Sequence, residues 1–253
     1  MSRLTIILLS VLALVYLGIS AALFIFQRSL IYFPQPRLTP SGTTILTLPS
    51  ETEHVLVSTQ LRDGPKALIY FGGNAEDVSA NMPSFSTAFP DYTIYLMHYR
   101  GYGGSSGKPS EEALVADGLA LFDEASLKHQ EVTIIGRSLG SGIAVHVASL
   151  RPATRLVLVT PYDSLQEIAA KQFPFFPVRW LILDKYESWR YAPTVKAPTL
   201  IIAAENDEVI PRSSSELLAS RFTSGIASFK VLPGTNHNSI SSSPEYLPLL
   251  KGQ

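Results

Sequence analysis

Cysteine is absent from this 253-residue chain. Disulfides, a thiolate nucleophile and cysteine-ligated zinc are therefore excluded, while the redox compartment stays open. Charge is scarce as well, at 16% of residues against about 25% in a typical soluble domain. Lys+Arg 20 against Asp+Glu 21 leaves a net charge of −1, so no basic excess favours nucleic acid as a partner. No His-Glu-x-x-His occurs, which removes a zincin. The glycine-rich stretch Arg100–Pro109 fails as a nucleotide motif. A P-loop ending at Gly107-Lys108 would put its first glycine on Tyr102 and its hydroxyl residue on Pro109, and a G-x-G-x-x-G from Gly101 would end on Ser106. The stretch reads as a glycine-shaped turn after a strand. Internal repeats and low-complexity tracts are missing too.

Apolar residues are plentiful, at 46%, and the excess has one obvious location. Leu4 to Phe26 is a run of 23 residues without a formal charge. As a helix it is long enough for a hydrocarbon core of about 30 Å. Residues 1–28 are accordingly expected to form an amino-terminal transmembrane anchor. A cleaved signal peptide is the alternative, because Ser20-Ala21-Ala22 offers small residues for cleavage; the apolar run continues beyond them through Phe26. Arg3 on one side and Arg28 and Arg37 on the other assign no orientation. Tyr32 and Phe33 are expected at the headgroup level, within a linker (residues 29–42) stiffened by Pro34, Pro36 and Pro40.

Residues 43–253 then alternate short apolar strands with helix-length segments. Strands are expected around Val55–Val57, Ala67–Phe71, Thr93–Met97, Val132–Ile135, Leu156–Val159, Thr199–Ile202 and Phe229–Leu232. Several are continuous apolar runs, as strands buried on both faces of a parallel sheet require. Helices are expected over Ser110–Leu127, Leu139–Leu150, Ser164–Lys171 and Arg212–Arg221, with a final one from Pro244. The pattern predicts an open α/β sheet. The aromatic, proline-broken segment Phe173–Trp189 interrupts it and suggests a small lid, about residues 164–192.

Gly136-Arg137-Ser138-Leu139-Gly140 follows one of these strands and precedes a helix. That context gives G-x-S-x-G its meaning: a sharp turn lifts the serine hydroxyl above the sheet, and crowding demands small residues two positions to either side. Gly142 close by is expected to let the helix approach the sheet. A serine nucleophile needs a base, and the fold places it after the serine in the chain. His54, His98 and His129 precede Ser138, and His146 lies on the following helix as a packed or surface residue. His237, in a polar loop after a strand, remains. Asp207, in the loop after Leu200–Ile202, is the preferred orienting carboxylate, with Asp163 as runner-up; Glu205 and Glu208 are expected to be solvated. Backbone N–H groups of Asn74, after Gly72-Gly73, and of Leu139 are expected to form the oxyanion site. Such a site requires neither metal nor cofactor.

These residues resemble the α/β-hydrolase fold, and more narrowly its membrane-anchored, small-lid branch called Bem46-like. The similar blocks are Phe26–Pro34, Gly73-Asn74-Ala75, Tyr99–Gly103 with Ser106–Glu111, Gly136–Gly142, Asp207 with Pro211, and His237. Two positions depart from the pattern: Gly72 stands where a histidine often precedes Gly-Asn, and His98 where an aspartate often precedes Tyr-Arg-Gly. The first bears on support of the oxyanion loop, the second on loop packing. The resemblance implies a mostly parallel central sheet flanked by helices with a small lid, behind one transmembrane helix. It also implies a serine hydrolase acting on carboxylic esters or thioesters through Ser138, Asp207 and His237. A small-molecule or lipid-like acyl substrate, or an acylated protein, would be its partner. An amidase or peptidase of the same fold, and a hydrolase-shaped binding scaffold without turnover, are the competing readings.

Overall fold

The computed structural model describes residues 2–49 and 53–252. Among them, eight strands form one sheet: β1 (Thr44–Pro49), β2 (His54–Gln60), β3 (Lys66–Phe71), β4 (Tyr92–Met97), β5 (Glu131–Arg137), β6 (Arg155–Val159), β7 (Thr199–Ala204) and β8 (Ala227–Leu232). Their order is β1-β2-β4-β3-β5-β6-β7-β8. The first two pairings are antiparallel and all others parallel. The central strands are buried along nearly their whole length, which explains their continuous apolar sequences. β1 lies outside the expected strands; its Thr-Ile-Leu-Thr-Leu-Pro sequence is that of a half-covered edge, with proline where an edge tolerates it.

Helices cover both faces. α2 (Met82–Ala88) and α9 (Tyr246–Lys251) pack one core cluster with Leu68, Tyr70 and Ile135. On the other face α3 (Glu111–Ser126), α4 (Leu139–Leu150) and α8 (Arg212–Ala219) enclose the larger core. α4 is apolar almost all round because it is buried almost all round. Gly142 does not ease its approach to the sheet as expected. A Cβ there would lie 2.6 Å from the Tyr162 hydroxyl and 2.9 Å from Tyr186, so it makes room for the tyrosines above the helix. Close approach to the strands is the task of Gly136 and Gly140.

Between β6 and β7 come α5 (Leu165–Gln172), α6 (Val178–Leu181) and α7 (Ser188–Tyr191). α5 and α6 bury no residue, while Phe175 and Trp180 are 84% and 88% exposed. This is the composition of a cap resting on the domain.

α1 (Arg3–Ile31) is a single 29-residue helix capped by the Ser2 hydroxyl. It is long and apolar enough to cross a membrane, with a mean hydropathy of 2.6 over its most apolar window; a membrane span and a signal sequence share that property. The helix continues past residue 28, and its end is docked. Tyr32, expected at the headgroup level, is buried within the protein, its hydroxyl bonded to Asp184 (3.1 Å) and Tyr186 (2.9 Å). The physical reason is a carboxylate at 184 that needs donors: Arg28 Nε (3.0 Å) and the Glu111 N–H (3.2 Å) also converge on it.

Candidate active site

Parallel register brings the C-terminal ends of the strands to one rim. Phe71 pairs with Gly136 and Arg137 with Val159, so the loops after β3 and β5 are neighbours. Ala204 pairs with Leu232, which sets the loops after β7 and β8 side by side. The candidate residues stand on these four loops.

Ser138 has φ 50° and ψ −119°, a conformation that costs free energy for any residue but glycine. Its N–H is held by Val159 O at 2.9 Å, and its hydroxyl turns away from the helix it caps. A Cβ at Gly136 would sit 2.6 Å from Gly140 O, and one at Gly140 would collide with Phe71 O. Both glycines are therefore sterically required.

His237 Nε2 lies 3.0 Å from Ser138 Oγ. Its Nδ1 lies 2.9 Å from Asp207 Oδ2 and 3.0 Å from Oδ1. The Asp207 carboxylate also accepts the N–H groups of Val209 (3.0 Å) and Ile210 (2.7 Å), which fix it in its own loop. All three side chains are buried or nearly so. An imidazole held between an alcohol and a carboxylate can take the hydroxyl proton while the carboxylate stabilises the resulting cation. Asp163 is not part of this chain. It is buried, which pushes its carboxyl above the usual range, and its nearest cation is Arg221 at 3.7 Å.

Asn74 and Leu139 border the same cavity as Ser138. Among the described residues neither backbone N–H has a hydrogen-bond acceptor within the protein. Other groups of Asn74 hold the loop: its side-chain N–H donates to Ile31 O (2.9 Å), and its backbone carbonyl accepts from Phe33 N (3.1 Å) and the Tyr102 hydroxyl (2.7 Å). Gly72 leaves no room for a larger residue, since a Cβ would fall 2.5 Å from Val78 Cγ1.

Support for this loop comes from Glu76, which sequence reasoning missed. Its carboxylate accepts from Gly73 N (2.7 Å), Arg137 Nη1 (3.1 Å), the Tyr70 hydroxyl (2.8 Å) and Asn81 Nδ2 (2.7 Å). Arg137 Nη2 in turn reaches His237 O at 3.3 Å. One ion pair thus links the loops after β3, β5 and β8. The x of the Gly-Arg-Ser motif is the only local hint of it. Glu205, expected to be solvated, is exposed yet accepts the Gly234 N–H at 2.8 Å and braces the histidine loop.

Three of the other four histidines pack or hydrogen-bond within the fold, and His54 is exposed on β2. His98 is buried against Gly103 and bonded to Ser58 Oγ (2.8 Å), so its departure from the family pattern does concern loop packing. His129 meets the Tyr95 hydroxyl, and His146 stacks on Tyr191 at 3.7 Å between centroids. Among the described residues no three His, Asp or Glu side chains gather in the manner of a metal site.

A cavity of about 460 Å³ opens in front of Ser138, within the usual range of ligand pockets, about 300–1,000 Å³. Its walls are mostly apolar and come from α1, the cap and the loop after Asp207.

The sequence profile described as alpha/beta hydrolase fold matches residues 66–185. An uncharacterised protein of Mycobacterium tuberculosis is 33% identical over 249 residues, covering 90% of this chain and 86% of the relative. Bem46 of Schizosaccharomyces pombe is 23% identical, covering 73% and 66% of the two chains. Among solved structures, the thioesterase domain from the curacin biosynthetic pathway superposes with a TM-score of 0.62 at 13% identity, covering 82% and 99%. The chain belongs to the α/β-hydrolase fold family and is a hydrolase of that fold. Within the family, its likeness to Bem46 is consistent with the membrane-anchored branch of that name.

Proposed function

We propose that the protein is a membrane-anchored serine hydrolase that cleaves carboxylic ester or thioester bonds. The observation that carries this reading is the continuous contact from Ser138 Oγ through His237 to Asp207. Ser138 Oγ attacks the acyl carbon and passes its proton to His237 Nε2. The oxyanion is held by the N–H groups of Asn74 and Leu139. Collapse expels the alcohol or thiol, which leaves with the proton from His237. Water, activated by the same imidazole, then attacks the acyl-enzyme and releases the acid. Asp207 orients the ring and stabilises its charged form.

Residues 1–28 act as the membrane anchor, 29–42 as the connection and 43–253 as the catalytic domain, with the cap over 164–192. The apolar cavity supports an acyl substrate, lipid-like or carried on a protein, over an amide or peptide. A fluorophosphonate is expected to label wild type and not Ser138→Ala, and ester turnover is expected to vanish in that variant. His237→Ala should lower kcat by several powers of ten, since the three groups act as a unit. Turnover surviving in Ser138→Ala would remove the serine from its role.

A further inference from the structure

The anchor helix is more than a tether. α1 turns one stripe toward the domain: Ser20, Leu23, Gln27 and Ile31 are its most covered residues and recur at helical spacing. Leu23, Phe24, Leu30 and Ile31 line the cavity that contains Ser138, opposite Phe173 and Phe176 of the cap. Gln27, the one polar side chain on this stripe that lines the cavity, closes its upper edge by accepting from Leu183 N (2.7 Å) and donating to Leu181 O (3.3 Å). Lower down, Tyr16 stacks on Phe176 (5.4 Å between centroids), and its hydroxyl bonds Phe175 O at 3.1 Å. The cap tip therefore rests on the middle of the apolar run.

A 29-residue helix spans about 43 Å, more than a hydrocarbon core of about 30 Å. With its docked end, from Ser20 to Ile31, clear of the bilayer, about 26 Å of helix remains for the lipid, and Tyr16 with the exposed Phe175 bonded to it falls at or below the lipid boundary. An aromatic cap tip with open apolar faces is stable there and costly in water.

We infer that α1 forms one wall of the acyl pocket, so that a lipid-borne acyl chain enters from the bilayer between α1 and the cap, lies along Leu23–Ile31, and presents its carbonyl to Ser138. This rests on the hydrolase reading above and adds the substrate class and the residues that measure chain length. Each methylene buried along the wall should raise kcat/KM by about fourfold until the pocket is full.

The test uses the full chain in phosphatidylcholine vesicles and a ladder of p-nitrophenyl esters from acetyl to palmitoyl. Wild type should gain with chain length. Leu23→Trp and Leu30→Trp, which fill the pocket, should lower the palmitoyl-to-acetyl ratio of kcat/KM at least tenfold. Leu30→Ala, which widens it, should move the preferred length upward. Ile25→Trp, on the 68% exposed opposite face, should follow wild type. A second measurement is independent of these variants: a fluorophosphonate with a diazirine-bearing hexadecyl chain, bound to Ser138 and irradiated, should crosslink to residues 23–31. Unchanged ratios in all three pocket variants, or crosslinks that avoid α1, would overturn the inference while leaving the hydrolase intact. Failure of the hydrolase itself is distinguishable, because wild type would then neither cleave the acetyl ester nor take the label.

Discussion

Ser138 sits in backbone strain that its neighbours impose, with Gly136 and Gly140 cleared for it. That part of the site was legible because its causes are local: five consecutive residues and the strand before them. Glu76 was not legible, because Arg137, the partner that ties its loop to the serine turn, lies 61 residues away. Glu76→Gln removes the charge that balances the half-buried Arg137 guanidinium and loosens Gly73. The variant should lose about 2–4 kcal/mol of stability, visible as a lower Tm. Its kcat should fall roughly 10- to 100-fold as the Asn74 N–H drifts; an unchanged kcat would show that the loop needs no such brace. His98 yields a pH prediction. Burial pushes its imidazole down to about 4 from 6.5, with Arg37 adding to the effect and Asp77 opposing it. The unfolded chain binds that proton near pH 6.5 and the folded one only near 4. Stability should therefore fall as pH drops through this window, by up to about 3 kcal/mol. In His98→Gln the Tm difference between pH 7.5 and pH 4.5 should shrink.

At the scale of elements, the central strands were readable because burial on both faces leaves an unbroken apolar run. β1 and α2 were not. The first is an edge strand broken by polar residues, and the second is a seven-residue helix that begins Met-Pro and is held by tertiary contacts. The cap was visible as an interruption, but its attachment was hidden because the attaching groups lie more than 150 residues away in α1. Asp184 is the centre of that attachment. Its buried carboxylate holds Arg28, Tyr32 and the amino end of α3 together. Asp184→Asn keeps the shape and loses the charge, so it should cost about 1–3 kcal/mol. The loss should be concentrated in the cap: amide hydrogen exchange should accelerate over residues 173–186 and α1 near Gln27, while the central strands keep their protection.

For the whole molecule, the consequence is that the boundary between anchor and enzyme does not coincide with the end of the apolar run. Through Ile19 the large apolar side chains of α1 are exposed on every face; from Ser20 onward one stripe, Ser20, Leu23, Gln27 and Ile31, is covered by the domain. Removing residues 1–19 should therefore yield a chain that no longer floats with vesicles yet melts cooperatively and takes a fluorophosphonate. Removing residues 1–33 is a different operation. It exposes the pocket held by Tyr32, worth about 2–3 kcal/mol of burial, and strips Asp184 of two of its donors, worth about 3–5 kcal/mol when a buried charge is left uncompensated. Asn74 loses the Ile31 acceptor of its side chain and the Phe33 donor to its carbonyl in the same step. Together these losses approach the entire stability of an ordinary domain, about 5–15 kcal/mol. The longer deletion should show no cooperative melt by circular dichroism and no labelling of Ser138. Equal stability of the two truncated chains would mean that the docked end of α1 contributes nothing to the hydrolase, and the pocket would need no wall from its anchor.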